Sequence, residues 1–142
     1  MKVHPYLNFA GQAEEAFNFY KSVFGGEFLA NMKMSEIPES DKLSEQEQNL
    51  TMHISLQIAK DTVLMASDIM PSAGQVLQAG SQTYIMLTTE SREEADRLFK
   101  GLSIGGNVEM DMDDMFWGDY FGSFVDKFGI RWMISFNEDQ SM

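Results

Sequence analysis

Two stretches of the chain run through one order of events, a strand, a helix and then three strands, and this repeat constrains the fold more than any other feature. In the first half VHPYLNF, residues 3 to 9, alternates so that Pro5, Leu7 and Phe9 share one face and His4, Tyr6 and Asn8 the other. AEEAFNFYKSVF, residues 13 to 24, places Ala13, Ala16, Phe17, Tyr20 and Phe24 at helical spacing, and Gly25 and Gly26 stop it. EFLANMKM at 27 to 34 is a second strand. From Leu50 a third alternates cleanly, Met52, Ile54, Leu56 and Ile58 against Thr51, His53, Ser55 and Gln57, and TVLMAS returns after the turn at 60 and 61.

In the second half TYIML (83 to 87) is a strand and SREEADRLFKGL (91 to 102) a helix with serine at its cap. Gly105 and Gly106 break the chain, NVEMDM is a strand, and FWGDYFGSFVDKFGIRWMIS (116 to 135) closes with a hairpin turning at DKFG. Eight strands with two helices give an α+β fold, since a doubly wound sheet needs a helix at nearly every crossover. Two βαβββ modules are expected, forming a curved mixed sheet around a cavity with the helices outside. The 142 residues suit a single domain: module one 1–68, linker 69–81, module two 82–137 and a frayed tail 138–142. The polar stretch 35 to 49 reads as a mobile loop capping the cavity.

Composition removes several functions. Without cysteine there is no disulfide, thiolate nucleophile or sulfur-held cluster. A net charge of −12 repels phosphate backbones and anionic bilayers, so neither nucleic acid nor membrane is an expected partner. No apolar run nears the roughly 20 residues of a membrane span. MKVHPYLNF lacks the apolar core and cleavage site of a secretion signal, so a cytoplasmic location is expected.

Few residues carry chemistry. His53, among Thr51, Ser55 and Gln57, is either a general base in a polar pocket or a histidine on a wetted sheet face. Trp117, Asp119, Phe121 and Ser123 read as one strand face, with Gly118, Tyr120, Gly122 and Phe124 on the other. Such an aromatic face lines a ligand pocket or packs a sheet core, and the pattern fits both. Glu109, Asp111 and Asp113 read as a solvated edge that discourages strand pairing. Gly129 supplies the positive φ of the last hairpin turn.

PYLNFAGQAEEAFNFYKSVFGGEF at 5 to 28, VLMASDIMP at 63 to 71 and FWGDYFGSFVDKFGIRWMI at 116 to 134 resemble the PhnB-like family of the vicinal oxygen chelate superfamily, which has the glyoxalase and bleomycin-resistance fold. Members of this family often carry a demethylubiquinone methyltransferase label. The chain offers no strand–glycine turn–helix unit for S-adenosylmethionine, so methyl transfer is not expected. Enzymes of the superfamily hold a divalent metal with two side chains from each module. The resemblance carries those places to His4, Met65, Gln82 and Met133, of which only His4 is a usual ligand, so no metal and no cofactor is expected. What the resemblance implies is metal-independent small-molecule binding, with the alternative of a metal-dependent lyase, isomerase or dioxygenase using His4 or His53 in an altered site. The candidate ligand-binding residues are His4, Tyr6, Asn8 and His53 in module one, and Gln82, Tyr84, Trp117, Phe121 and Met133 in module two. A small-molecule ligand and a homodimer are the expected partners.

Overall fold

A computed structural model describes residues 1–139; residues 140–142 of the expected tail lie outside the described residues. The chain divides into two compact units, Met1–Gln78 and Ala79–Met142, with the boundary inside the expected linker. Unit one holds β1 (Tyr6–Phe9), α1 (Ala13–Phe24), β2 (Phe28–Lys33), α2 (Glu45–Gln48), β3 (Thr51–Ala59) and β4 (Thr62–Asp68). Unit two holds β5 (Ile85–Thr88), α3 (Arg92–Leu102), β6 (Asn107–Asp114), β7 (Tyr120–Val125) and β8 (Arg131–Phe136). Each unit forms one four-stranded mixed sheet, β1-β4-β3-β2 and β5-β8-β7-β6. The first strand of each runs parallel to the last and the other pairs are antiparallel, giving the expected α+β class.

The core of unit one lies between its helix and sheet. Ala13, Ala16, Phe17 and Tyr20 recur every three or four residues on α1, and all are buried, as are Ile54 and Leu56 of β3 and Leu64 and Ala66 of β4. Gln12, at the N-cap position, gives α1 no side-chain cap. Asp68 does that work from the end of β4: its Oδ1 accepts the Gly11 and Ala13 N–H groups at 2.9 and 3.0 Å, and its Oδ2 accepts the Thr51 N–H at 2.9 Å. One buried carboxylate thus fixes the helix entry and the start of β3.

In unit two Ser91 caps α3 as its sequence predicts, accepting from the Glu94 N–H at 3.0 Å, while Glu94 accepts from the Glu90 N–H. Ala95, Leu98 and Leu102 bury the inner face of α3, and Phe99 meets Phe124 edge-on at 5.1 Å. The DKFG turn is organised by Asp126, whose Oδ1 accepts the Phe128 and Ile130 N–H groups and whose Oδ2 accepts the indole N–H of buried Trp132 at 2.8 Å. Gly129 has φ +89°, as the turn requires.

Four expectations need correction. The first strand begins at Tyr6, not residue 3, because Pro5 has no N–H and contributes only its carbonyl, to the Met65 N–H. Met52, expected in the core, is exposed, and Thr51 is buried instead. Thr51 stands opposite Lys33 and His53 opposite Met32, so β3 carries an extra residue at Met52 and the alternation changes phase there. Residues 35–49 are not a plain loop: turns of 3-10 helix at 34–36 and 40–42 precede α2, which Ser44 caps through the Glu47 N–H. The same polar residues that kept this stretch out of the core close its short helices. Trp117 and Asp119 lie outside the strand assigned to them, since β7 starts at Tyr120.

Replacing Asp68 with alanine leaves three N–H groups without their acceptor. The expected loss is about 3 kcal/mol of stability, read from the urea midpoint, with Asp68→Asn falling between the two.

Candidate functional site

Each sheet turns one face to its helix and presents residues of opposite parity on the other. The pairing registers make these far faces equivalent position by position. Across unit one a row runs Tyr6, Met65, Ser55, Ala30; across unit two the matching row runs Met86, Met133, Ser123, Met110. Met65 and Met133 therefore hold the same place, as do the buried serines Ser55 and Ser123. Two residues further along β3 and β7, His53 corresponds to Phe121. The glycine pairs obey the same register. A Cβ on Gly26 would fall 2.0 Å from the Gln57 carbonyl oxygen, and one on Gly106 would fall 2.1 Å from that of Val125, the residue equivalent to Gln57. Close approach of helix exit to strand is what these glycines permit.

The structure joins two of the expected ligand-binding residues of unit one. The Tyr6 hydroxyl lies 3.0 Å from Nδ1 of His53, and the rings stack at 5.7 Å, bridging from β1 to β3 above β4. Tyr6 is exposed and His53 half-buried, so the pair combines a phenol and an imidazole within reach of solvent. Asn8 is exposed on the same parity of β1. His4 stands apart: its Nδ1 accepts the Val63 N–H at 3.2 Å, which places the proton of the neutral ring on Nε2.

In unit two the residue equivalent to His4 is Tyr84, two positions before Met86; Gln82 lies earlier, exposed and outside β5. The Tyr84 hydroxyl donates to Glu109 Oε1 at 2.8 Å, and Arg131 donates to Glu109 Oε2 at 3.0 Å and to the Gly80 carbonyl. Both ion-pair side chains retain under a third of their exposure, 25% and 29%. β6 is the sheet edge its acidic run predicts, and Glu109 is exposed on it but is also paired with a base. It falls at an extra residue between Val108 and Met110 and turns onto Arg131. The Glu109–Arg131 pair was missed by sequence reasoning, because an acid or arginine in a strand pattern does not reveal a partner about twenty residues away, and the role of Asp126 was missed because the DKFG turn was read through its glycine alone.

Phe121 and Met133 lie on the far face of unit two. Trp117 belongs to the turn between β6 and β7: its indole N–H donates to Asp119 Oδ2 at 2.9 Å, and Asn137 donates to the other oxygen at 2.7 Å. Trp117 is 52% exposed and Phe116 97%. On the helix side Arg92 pairs with Asp114 and lies over the Tyr120 ring, 4.4 Å from its centre. The Tyr120 hydroxyl donates to Asp96, which pushes its phenol above the ordinary value and keeps it protonated. Among the described residues no three His, Asp or Glu side chains are grouped to hold a metal ion.

A family model described as 3-demethylubiquinone-9 3-methyltransferase matches residues 1–135. The chain belongs to this family. Protein YjdN of Escherichia coli K12 is 32% identical over 148 residues, covering 99% of this chain and 98% of that protein. The crystal structure of PA1353 from Pseudomonas aeruginosa superposes with a TM-score of 0.86 at 34% identity, covering 96% and 98% of the two chains. A PhnB protein from Bacillus cereus gives 0.77 at 24% identity, covering 96% and 99%. The fold is that of glyoxalase/bleomycin resistance proteins, shown by one from Albidiferax ferrireducens at TM-score 0.64 and 15% identity over 94% and 96% of the chains. The resemblance to PhnB-like proteins of the vicinal oxygen chelate superfamily therefore holds.

Glu109→Gln removes the counter-charge of a half-buried guanidinium while keeping an acceptor for Tyr84. The variant is expected to lose about 1 kcal/mol, with the difference from the parent shrinking when melting curves are repeated in high salt.

Proposed function

We propose that this protein binds a small, planar, partly oxygenated organic molecule without a metal ion. The observation that carries the reading is the pair of equivalent residues Met65 and Met133. The superfamily resemblance puts charged or imidazole donors at these places, and a thioether is a poor ligand for hard or borderline divalent ions. His4, the one usual ligand of that set, uses its Nδ1 on the Val63 N–H. What these faces do offer is aromatic and thioether surface with a few polar tips, Tyr6, His53 and Asn8 in one unit and Tyr84, Phe121 and Ser123 in the other, which is the composition of organic-ligand sites.

The family description names a methyl transfer, and it is not part of this reading. The glycine pairs follow helices, and Gly26 and Gly106 pack against strand carbonyls, whereas a nucleotide-bearing methyl donor needs glycines between a parallel strand and the helix it feeds. A second reading rests on the Tyr6 and His53 contact. An imidazole within 3.0 Å of a phenol is an acid–base couple, so proton transfer on the bound molecule, as in a lyase or isomerase, is the alternative. We further infer a cytoplasmic homodimer, the assembly that the superfamily resemblance implies.

Thermal shift with catechol, 4-hydroxybenzoate and related aromatic and oxo acids, run in excess EDTA, tests the reading. A specific binder at a hundredfold excess over its Kd is expected to add about 2.7 kcal/mol, and Tyr6→Phe combined with His53→Ala is expected to diminish that gain. Stabilisation that appears only with added manganese, nickel or zinc, and disappears in His4→Ala, would replace this reading with an altered metal enzyme.

A further inference from the structure

Three aromatic rings meet at the end of unit two where β6 turns into β7. The ring centres of Phe116 and Trp117 lie 4.9 Å apart at an interplanar angle of 89°, and those of Trp117 and Phe121 lie 6.4 Å apart at 62°. Trp117 thus contacts two rings, each steeply inclined to its own. Core packing does not account for the cluster, because Phe124, Trp132 and Ile134 fill the opposite, helix-covered face while Phe116 and Trp117 stay exposed. The turn that carries the rings is tied down. The Met115 N–H donates to the Asp119 carbonyl at 2.8 Å and the Gly118 N–H to the Met115 carbonyl at 3.0 Å, and the Asp119 carboxylate holds the Trp117 indole.

A carboxylate stands beside the rings. Asp113 is paired directly with Phe121 across β6 and β7, so both side chains project from one face. It is exposed and accepts the Asp114 N–H, with no base paired to it among the described residues. Arg92, the base at this end of the unit, serves Asp114 and the Tyr120 ring, whose opposite parity puts them on the helix side. We propose that Phe116, Trp117 and Phe121, with the carboxylate of Asp113, form a binding site for a small organic cation that carries a methylated ammonium group. Ring faces attract cations, indole most strongly, and inclined rings offer such an ion several faces at once. Methylation removes the N–H groups that make a lysine-type ammonium strongly hydrated, so this cation sheds little water on entering an aromatic corner. The acids flanking the turn oppose its burial in a bilayer, so the occupant is a soluble molecule. The inference goes beyond the organic-ligand reading. Phe121 is common to both, but the guest is a cation and the readout lies on Trp117, whereas the other reading is tested through Tyr6 and His53, so either can fail alone.

The test is titration of the nitrogen-15-labelled full chain with tetramethylammonium chloride, with ionic strength held constant by sodium chloride. Trp132, fully buried with its indole on Asp126, is the internal reference. The Trp117 indole signal and the Phe116 and Phe121 amides are expected to shift together and saturably, while the Trp132 indole stays in place. Choline is expected to act alike, and its uncharged analogue with carbon in place of nitrogen to bind at least about fivefold more weakly. Asp113→Asn, on an exposed side chain, and Trp117→Leu, followed through the Phe121 amide, are each expected to weaken binding about fivefold. Equal binding of the neutral analogue, an affinity unchanged in either variant, equal movement of the Trp132 indole, or no saturable shift would overturn the assignment. So would retention of the protein on phosphatidylcholine vesicles without a response to the free ion.

Discussion

Unit one depends on a single buried carboxylate. Asp68 lies at the end of β4, yet its oxygens accept backbone N–H groups from the approach to α1 and from the first residue of β3. A charge so thoroughly removed from water persists only when its lone pairs are satisfied, and here three short hydrogen bonds do so. The bonds also solve a second problem, because the first turn of a helix has donors with no intrahelical partner and Gln12 supplies no acceptor. The helix register, the start of the long strand and the last residue of the sheet are thereby set by one group. Unit two reaches the same architecture with the work divided. Ser91 caps its own helix, and Asp126 ties the final turn to the indole of Trp132. Phe136, the residue equivalent to Asp68, has no carboxylate to offer.

With the helix face fixed, the far face is what remains for function, and the pairing registers show how evenly the two halves divide it. The same rows carry Met65 and Met133, Ser55 and Ser123, and the glycines at 26 and 106 meet the same carbonyl position. Differences begin at the rows on either side. One half places His53 where the other has Phe121, and Val63 where the other has Arg131. The first half therefore brings a phenol and an imidazole together, whereas the second closes its end with an ion pair.

Much of this was legible in the residues, and what was not has a common cause. Alternation and helical spacing found eight strands and both long helices, because burial of one face imposes a period on the sequence, and the serine before the second helix marked its cap. Pro5, Leu7 and Phe9 did turn inward, leaving Tyr6 and Asn8 outward as expected. Bulges defeated the rest. An extra residue at Met52 buried Thr51, and another near Glu109 swung an apparent edge charge onto Arg131, since period alone cannot show where a strand carries two residues against one. Trp117 failed differently: the strand pattern ran unbroken through it, but the Asp119 and Asn137 hydrogen bonds hold that stretch as a turn. The resemblance carried the place equivalent to His4 onto Gln82, whereas counting across the sheet from Met133 gives Tyr84. Register is a property of two strands, and a single sequence presents them one at a time.

Net charge misleads about these faces in a way the structure corrects. The chain carries twelve more acids than bases, which by itself favours cationic guests throughout. Yet one acid at the far face of unit two is already engaged, Glu109 by Arg131 and Tyr84, while Asp113, opposite Phe121, accepts only the Asp114 N–H. A lone carboxylate beside a committed one gives a hard cation few oxygens for which to shed its water. Neutral sulfur and aromatic carbon carry no such desolvation penalty, so the net charge of the chain is a poor guide to the chemistry of this face.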